Sequence, residues 1–145
     1  MNNLLISGFP GIGKTYFKNN SVLNVADSDS SKFSWIKEGV RNPNFPKVYI
    51  EHIKDMLRSK DIVLVSSHKE VRDALVQERI RFWLVYPKRE LKTEYLLRFE
   101  KRGSPQKFLD FLDSNWDNFI TEMENQKFCE HKRLISGKYI GSVIM

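Results

Sequence analysis

One segment near the N-terminus has residue types and spacing that suit phosphate chemistry. Residues 8–15 read GFPGIGKT and fit the pattern G-x-x-x-x-G-K-[ST] without a mismatch. Glycines in such a loop let the backbone turn so that successive N–H groups point at phosphate oxygens, and the helix that follows favours an anion at its N-terminus. We therefore expect Lys14 to reach the β- and γ-phosphates of a nucleotide and Thr15 to place its hydroxyl on Mg²⁺. The predicted nucleotide-binding set is Gly8, Gly11, Ile12, Gly13, Lys14, Thr15 and Tyr16.

Two acids follow the second apolar run of the chain. Asp27 and Asp29 belong to the sequence DSDSS, directly after residues 22–26, which predict a short strand. At the carboxyl edge of a parallel sheet, a carboxylate can orient an attacking oxygen and take its proton, or contribute to a metal site. We predict a magnesium site from Thr15, Asp27 and Asp29, with Asp27 also a candidate catalytic residue. The alternative is that this sequence is a polar turn whose side chains cap the following helix. The question of which of the two acids is functional stays open.

Positive charge is concentrated in residues 88–107, which hold seven basic and three acidic side chains and so carry a net +4 of the chain's +6. On a helix, Arg98 and Arg102 lie about 40° apart, on the face that also carries Tyr95. Two guanidinium groups beside an apolar face suit a surface that closes over phosphates, so both are candidate catalytic residues. The alternative is a surface helix in which Glu94 pairs with Arg98. The remaining basic residues at the start of the segment are interpreted as solvated: Lys88, Arg89 and Lys92.

Strands and helices alternate along most of the chain. Apolar runs predict strands at residues 3–7, 22–26, 61–66 and 81–86, and helical periodicity predicts helices from residue 14, over 46–59 and over 69–78. This alternation predicts an α/β fold with a small parallel sheet and helices on both faces. Two more helices are expected at 91–102 and 108–124, followed by one more strand or a closing hairpin from 134–135 and 139–144. The second of these helices has a predicted core face made of Phe108, Phe111, Leu112, Trp116, Phe119 and Ile120.

Length and composition bound the class of protein. At 145 residues, 41% hydrophobic and 29% charged, the chain is expected to form a single globular domain over 1–145. No apolar run approaches the ~20 residues that span a bilayer, and the N-terminus lacks the basic region of a signal peptide. The only cysteine is Cys129, which excludes an internal disulfide. We expect a cytoplasmic protein without a membrane partner, and the sequence pI near 9.4 favours an anionic ligand.

The strand–GxxxxGKT–helix opening resembles P-loop NTPases, and the small size and alternating strands are similar to small-molecule P-loop kinases, with nucleoside monophosphate kinases closest. The resemblance implies a three-layer α/β/α fold, ATP with Mg²⁺ as the donor, and a helical lid over residues 88–107. In that family the lid arginines clamp the transferring phosphoryl group, and Gly103 would be the hinge. The base-reading motif of regulatory GTPases, [NT]-K-x-D, does not occur in the sequence. The third predicted strand ends in Ser66-Ser67-His68, so the aspartate that several of these kinases carry there is missing.

These features lead to three hypotheses about function. The first is transfer of the ATP γ-phosphate to a (deoxy)nucleoside monophosphate, because bringing two anions together requires the positive charge of a lid. The second is a P-loop kinase that acts on a hydroxyl, either of a small metabolite or at a 5′-hydroxyl nucleic-acid end, with Asp27 as the base. The third is a non-catalytic nucleotide-binding accessory protein, which the missing acid after the third strand favours. The oligomeric state is left open.

Three further polar residues follow predicted strands. Arg41 and Arg72 are placed where they could reach an acceptor phosphate, with a plain surface charge as the equal alternative. His68 is interpreted as a polar cap for the next helix rather than as a substrate contact.

Overall fold

The computed structural model describes residues 3–27, 35–37, 40–41 and 47–144, and for 35–37 and 40–41 it describes the backbone. Over these ranges the chain forms seven strands and six α-helices. The strands are β1 (Leu4–Gly8), β2 (Val25–Asp27), β3 (Trp35–Lys37), β4 (Val40–Arg41), β5 (Ile62–Ser66), β6 (Trp83–Pro87) and β7 (Glu130–Leu134). The helices are α1 (Lys14–Asn20), α2 (Lys47–Ser59), α3 (Lys69–Gln77), α4 (Lys92–Lys101), α5 (Gln106–Glu124) and α6 (Gly141–Ile144), with a 3₁₀ turn at Arg89–Leu91. The prediction for Asp29 and the side chain of Arg41 lie outside the described residues.

A five-stranded parallel sheet organises the fold, in the order β2-β5-β1-β6-β7. Strand β1 lies at the centre and pairs in parallel with β5 on one side and β6 on the other. Its Ile6 is opposite Leu64 of β5 and Trp83 of β6. Both β1 and β5 are almost wholly buried, as expected of apolar strands in a sheet covered on both faces. The prediction of an α/β fold with a parallel sheet is confirmed, and β3 and β4 form a separate antiparallel pair.

Helices pack on both faces of the sheet. On one face α2 and α3 are in contact, and Arg72 of α3 donates hydrogen bonds to Glu122 of α5 and to Gln126 just after that helix. Helix α1 connects β1 to β2, which lies towards one edge of the sheet, whereas α3 connects β5 to β6, which lies towards the other edge. Because crossovers between parallel strands are right-handed, opposite directions place their helices on opposite faces. Helix α6 packs on α1, where the Phe17 ring approaches Gly141. The layers are compatible with a three-layer α/β/α fold.

The core face of α5 is confirmed in part. Leu112, Trp116 and Ile120 are buried, and the indole N–H of Trp116 donates to the carbonyl of Arg89 at 2.8 Å. Phe111, which was predicted in the core, is 54% exposed and lies against the Phe119 ring. The buried face of α5 thus includes fewer residues than its apolar pattern predicts, because one side of the helix faces solvent.

Two strand predictions are wrong in position. The second strand is Val25–Asp27 rather than 22–26, and Val22 is fully exposed in the turn before it. The last strand is β7, which ends at Leu134, while residues 141–144 are helical instead of extended. Strand β7 is polar (EHKRL) because it lies at the sheet edge, so hydrophobic periodicity did not reveal it. No helix in the described ranges is long and apolar enough to cross a membrane.

The C-terminus of α4 is closed by a glycine cap. Gly103 has a φ of 81°, its N–H donates to Glu100 O, and the N–H of Ser104 donates to Phe99 O, each at 3.0 Å. This pair of hydrogen bonds defines a Schellman motif, whose left-handed residue is usually glycine.

Helix α3 ends in the same motif with an arginine in place of the glycine. Arg79 has a φ of 57°, and the N–H groups of Arg79 and Ile80 donate to the carbonyls of Val76 and Leu75. We predict that Arg79→Gly raises the free energy of unfolding by about 0.5–1 kcal/mol, because glycine adopts this φ without the steric cost of a Cβ. Denaturant unfolding measures the effect. Arg79→Ala keeps the Cβ and serves as the control, and an equal gain in Arg79→Ala would contradict the backbone explanation.

Candidate functional site

The loop at residues 8–15 lies at the carboxyl edge of the central strand. It leaves β1 and leads into α1, while the neighbouring strand β5 leads into α3 on the other face of the sheet. Adjacent parallel strands whose connections leave to opposite faces open a crevice between them, where ligands bind in open α/β sheets. At this edge the hydroxyl of Ser7 donates to Ser66 O at 2.7 Å, which ties the ends of the two strands together.

The backbone of the loop has left-handed conformations at two of its glycines. Gly11 and Gly13 have φ values of 85° and 90°, which favour glycine. A Cβ at Gly11 would lie 3.0 Å from the Phe99 ring, and a Cβ at Gly13 would lie 3.0 Å from the Tyr139 ring. Both glycines are therefore required for conformation and for close packing. Ile12, between them, is buried, so its side chain is not available to a ligand.

Lys14 and Thr15 occupy the first turn of α1. The ammonium of Lys14 donates to Gly8 O at 2.8 Å, so it folds back over its own loop. The hydroxyl of Thr15 donates to an Asp27 carboxylate oxygen at 3.3 Å. Asp27 is the last residue of β2, at the carboxyl edge where it was predicted to lie. The sheet therefore brings together three of the predicted site residues from two separate segments.

Hard oxygen donors are the chemistry that Mg²⁺ prefers, and the Thr15 hydroxyl and Asp27 carboxylate supply two of them. Across the described residues, no group of three His, Cys, Asp or Glu side chains could hold a metal ion on its own. Mg²⁺ commonly keeps several waters and is bound through one or two protein ligands together with substrate phosphates. The donor set fits that kind of binding, in which the ion arrives with a nucleotide.

A cleft of about 1460 Å³ opens beside the loop. Four basic side chains line it, Lys14, Arg98, Lys101 and Arg102, against two acidic ones, Asp27 and Glu94. Its apolar wall is formed by Leu97, Pro105 and Phe108, and Tyr16 lies at its edge, 75% exposed. The cleft thus offers positive charge beside an apolar surface, a combination that suits a nucleotide.

Arg98 lies between the phosphate loop and the C-terminal part of the chain. Its guanidinium donates to Gly11 O at 2.8 Å and to Lys138 O at 3.1 Å. It lies 4.3 Å from the centroid of the Tyr95 ring and 4.0 Å from that of Tyr139, and its side chain is 12% exposed. These contacts hold the side chain in one place, and a contact of Arg98 with a phosphoryl group stays a prediction.

Glu94 joins Arg98 to the segment after β7. Its carboxylate accepts hydrogen bonds from Arg98 at 2.9 Å, from the Ser136 hydroxyl at 2.5 Å and from the Gly137 N–H at 3.0 Å. The hydrogen bond from Ser136, followed by that from Gly137 and the charge of Arg98, lowers the pKa of Glu94 below its ordinary value of 4.5. The predicted Glu94–Arg98 pair therefore exists, but as part of a larger connection between three segments.

Arg102 has a different environment from Arg98. It is exposed on the cleft wall, and its guanidinium carbon lies 5.2 Å from the centroid of the Phe99 ring.

Two basic residues at the start of the predicted lid are paired with α5, in contrast to the expectation that they are solvated. Arg89 donates hydrogen bonds to Asp117, Thr121 and Glu124, and the Lys92 ammonium lies 2.6 Å from the Asp113 carboxylate. The first half of the predicted lid is thus attached to α5, and lid motion stays a prediction.

No protein-family model matches this chain, and comparison with curated proteins finds no significant match. The function has to be inferred from the geometry of the loop and the cleft.

Two other sequence predictions are corrected by the structure. Arg72, a candidate for an acceptor phosphate, is buried, and its guanidinium donates to Ser67 O at 2.8 Å as well as to α5. Its hydrogen bond to Ser67 O stabilises the turn after β5.

His68 occupies the N-cap position of α3, but its side chain makes no capping hydrogen bond and lies on the cleft wall. The position of His68 before a helix predicts a capping side chain, but sequence position alone does not determine where the imidazole ring points.

Sequence reasoning missed the segment after β7. Tyr139 packs on Gly13, and the N–H of Ile140 donates to Ile12 O at 2.8 Å. The sequence predicts one more strand or a closing hairpin here, and it carries no motif that relates these residues to the loop more than a hundred residues earlier.

We predict that Glu94→Gln lowers the melting temperature at pH 7 by roughly 2–4 °C, because an amide accepts these hydrogen bonds more weakly than a carboxylate. The pKa of Glu94 is lowered in the folded protein, so its contribution is present above the unfolded value and is lost as pH falls through the folded value. The difference from wild type should shrink below pH 4.5, as thermal unfolding at several pH values would show. Glu100→Gln, on the exposed side of α4, is the matched control and should not change the melting temperature.

Proposed function

We propose that this protein is a P-loop phosphotransferase that uses Mg²⁺·ATP and transfers the γ-phosphate to a small phosphorylated acceptor, a (deoxy)nucleoside monophosphate. The observation that carries the proposal is the meeting of Thr15 and Asp27 at 3.3 Å beside a glycine loop with two left-handed residues. A nucleotide-binding motif that occurred by chance would have no reason to have a carboxylate from another strand next to its threonine hydroxyl.

The donor half of the site follows from the loop. The N–H groups of residues 11–15 would bind phosphate oxygens, and the Lys14 ammonium, which donates to Gly8 O, would bind the β- and γ-phosphates. Thr15 and Asp27 would hold the Mg²⁺ that accompanies the nucleotide, since their side chains meet at 3.3 Å. Bound Mg²⁺ supplies charge neutralisation as the phosphoryl group transfers. Apart from the metal ion, catalysis of phosphoryl transfer depends on how the substrates are positioned and on positive charge near the phosphoryl group. The basic side chains that line the cleft supply this charge.

The size and charge of the cleft support a second substrate. Pockets for one small ligand usually have about 300–1,000 Å³, and this cleft has about 1460 Å³. Lys101 and Arg102 extend the positive wall beyond the phosphate loop, and both are exposed. A nucleoside monophosphate acceptor brings a second anion towards the γ-phosphate, and these cations reduce the repulsion between the two. We assign the contact with the transferring phosphoryl group to Arg102.

A hydroxyl acceptor is the second candidate, and the position of Asp27 favours it. A hydroxyl must lose its proton as it attacks, whereas a phosphate oxygen at neutral pH has none to lose. A carboxylate at the end of β2 faces the cleft and has the chemistry of such a base.

We predict that Lys14→Ala lowers the rate of ATP-dependent transfer at least about a hundredfold, because the variant loses the charge that stabilises the transferring phosphoryl group. Steady-state kinetics with γ-labelled ATP measures this loss. Lys18→Ala, four residues later on the exposed side of α1, is the matched control and should retain wild-type activity. Near wild-type activity in Lys14→Ala would contradict the assignment of the loop.

A panel of acceptors separates the two candidates. Nucleoside monophosphates, nucleosides and 5′-hydroxyl oligonucleotides are each incubated with labelled ATP, and we expect labelled product with the monophosphates. If only nucleosides or oligonucleotides became labelled, the result would contradict the monophosphate acceptor and support the hydroxyl acceptor. Binding of ATP without transfer to any acceptor of the panel would count against both and favour an accessory nucleotide-binding protein.

A further inference from the structure

The carbonyl groups of the phosphate loop are held from outside by two distant parts of the chain. Gly11 O accepts a hydrogen bond from Arg98 of α4, and Ile12 O accepts one from the N–H of Ile140, just before α6. Both donors lie outside the P-loop motif. Two consecutive peptide units of the loop are therefore oriented by groups that the motif does not contain.

The orientation of each carbonyl determines where the next N–H points. In a trans peptide unit, C=O and N–H lie in one plane and point in opposite directions. When Gly11 O is directed at Arg98, the N–H of Ile12 is directed away from it, and the same relation holds between Ile12 O and the N–H of Gly13. Within the described residues, neither of these two N–H groups has a close, well-aligned protein acceptor. The direction of both N–H groups is thus set by the hydrogen bonds of the neighbouring carbonyl groups.

Arg98 itself is fixed on every side. Glu94 and Lys138 O accept from its second terminal nitrogen, and two tyrosine rings cover its faces. Glu94 in turn is bound to Ser136 and Gly137. A guanidinium held in this way is suited to keep another group in place. It is poorly suited to follow a phosphoryl group from donor to acceptor.

We propose that Arg98, Glu94 and residues 136–140 form an outer clamp that orients the Ile12 and Gly13 N–H groups for polyphosphate. Arg98 is then a positioning residue that acts through Gly11 O. This inference rests on the proposed phosphate-binding function and assigns a role to residues that the P-loop motif leaves out. Its consequence is that Arg98 contributes to binding of the ground-state polyphosphate, because a loop oriented in advance loses less freedom when the ligand binds.

The clamp makes a different prediction from a catalytic arginine. Removal of an arginine that contacts only the transition state lowers kcat with little effect on affinity. Removal of the clamp should disorder the two peptide units and weaken the binding of any polyphosphate, including one that carries no base and undergoes no transfer. Inorganic tripolyphosphate with Mg²⁺ is therefore the probe.

The experiment compares wild type with Arg98→Ala and Arg98→Lys. Amide chemical shifts and hydrogen exchange of Ile12 and Gly13 are recorded in the ligand-free protein, and tripolyphosphate affinity is measured by calorimetry. We expect both amide signals to shift in Arg98→Ala and the affinity to fall about tenfold, with partial recovery in Arg98→Lys, which keeps one donor. Arg58→Ala on α2 removes an exposed arginine that is paired with Asp55 at 3.0 Å, and should leave both readouts at wild-type values.

The ligand-free measurement keeps the clamp separate from the proposed function. Unchanged Ile12 and Gly13 signals in Arg98→Ala, or wild-type affinity for tripolyphosphate, would overturn the clamp and leave the proposed function standing. If wild type binds tripolyphosphate without transferring phosphate from ATP, the proposed function fails and the amide shifts still decide the clamp. Should Arg98→Ala not fold, Arg98→Lys and Glu94→Gln give the same test, since each weakens the hold on Gly11 O.

Discussion

The conformation of the loop at residues 8–15 depends on hydrogen bonds that hold the carbonyl groups of Gly11 and Ile12 from outside the loop. Buried or half-buried backbone donors usually find a partner, because leaving one unpaired costs free energy. At Ile12 and Gly13 neither N–H has a close, well-aligned acceptor in the described part of the protein, Gly11 and Gly13 are left-handed, and the carbonyls of Gly11 and Ile12 are bound elsewhere. Such donors are what the proposed binding of polyphosphate requires.

The sheet supplies the rigidity that this arrangement needs. Strand β1 is central, with hydrogen-bonded partners on both sides, and the N–H of Phe9 continues the pairing to Val85 O at 2.9 Å. Beyond it, the Phe9 ring packs edge-on against Trp116 and Tyr95, so the start of the loop is anchored in the same aromatic cluster that seats α4 and α5. Tyr95 is wholly buried there, and burial raises the pKa of its hydroxyl to about 12. The loop is thus attached to the core at its beginning and to the clamp in its middle.

Features that depend on a few consecutive residues could be predicted from the sequence. The glycine loop, the buried strands β1 and β5 and the position of Asp27 at the sheet edge all follow from local patterns. The contacts of Arg98 could not be predicted in this way, because they depend on Lys138 and Tyr139, some forty residues later in a segment without a motif. Arg72 shows the same limit. An arginine after a strand can face the cleft or the core, and only the presence of Glu122 on α5 and of Gln126 just after it decides for the core.

Charge gives a further example of how tertiary structure changes the meaning of composition. The basic segment 88–107 carries most of the net charge, yet Arg89, Lys92 and Arg98 are each paired with a carboxylate of the fold. Paired charges add little to the field outside the protein, because each is compensated within a few ångströms. Among the described ion pairs, none involves Lys101 or Arg102, and these two line the cleft. Within the basic segment, the uncompensated charge that faces the cleft therefore comes from Lys101 and Arg102, where the proposed acceptor would approach.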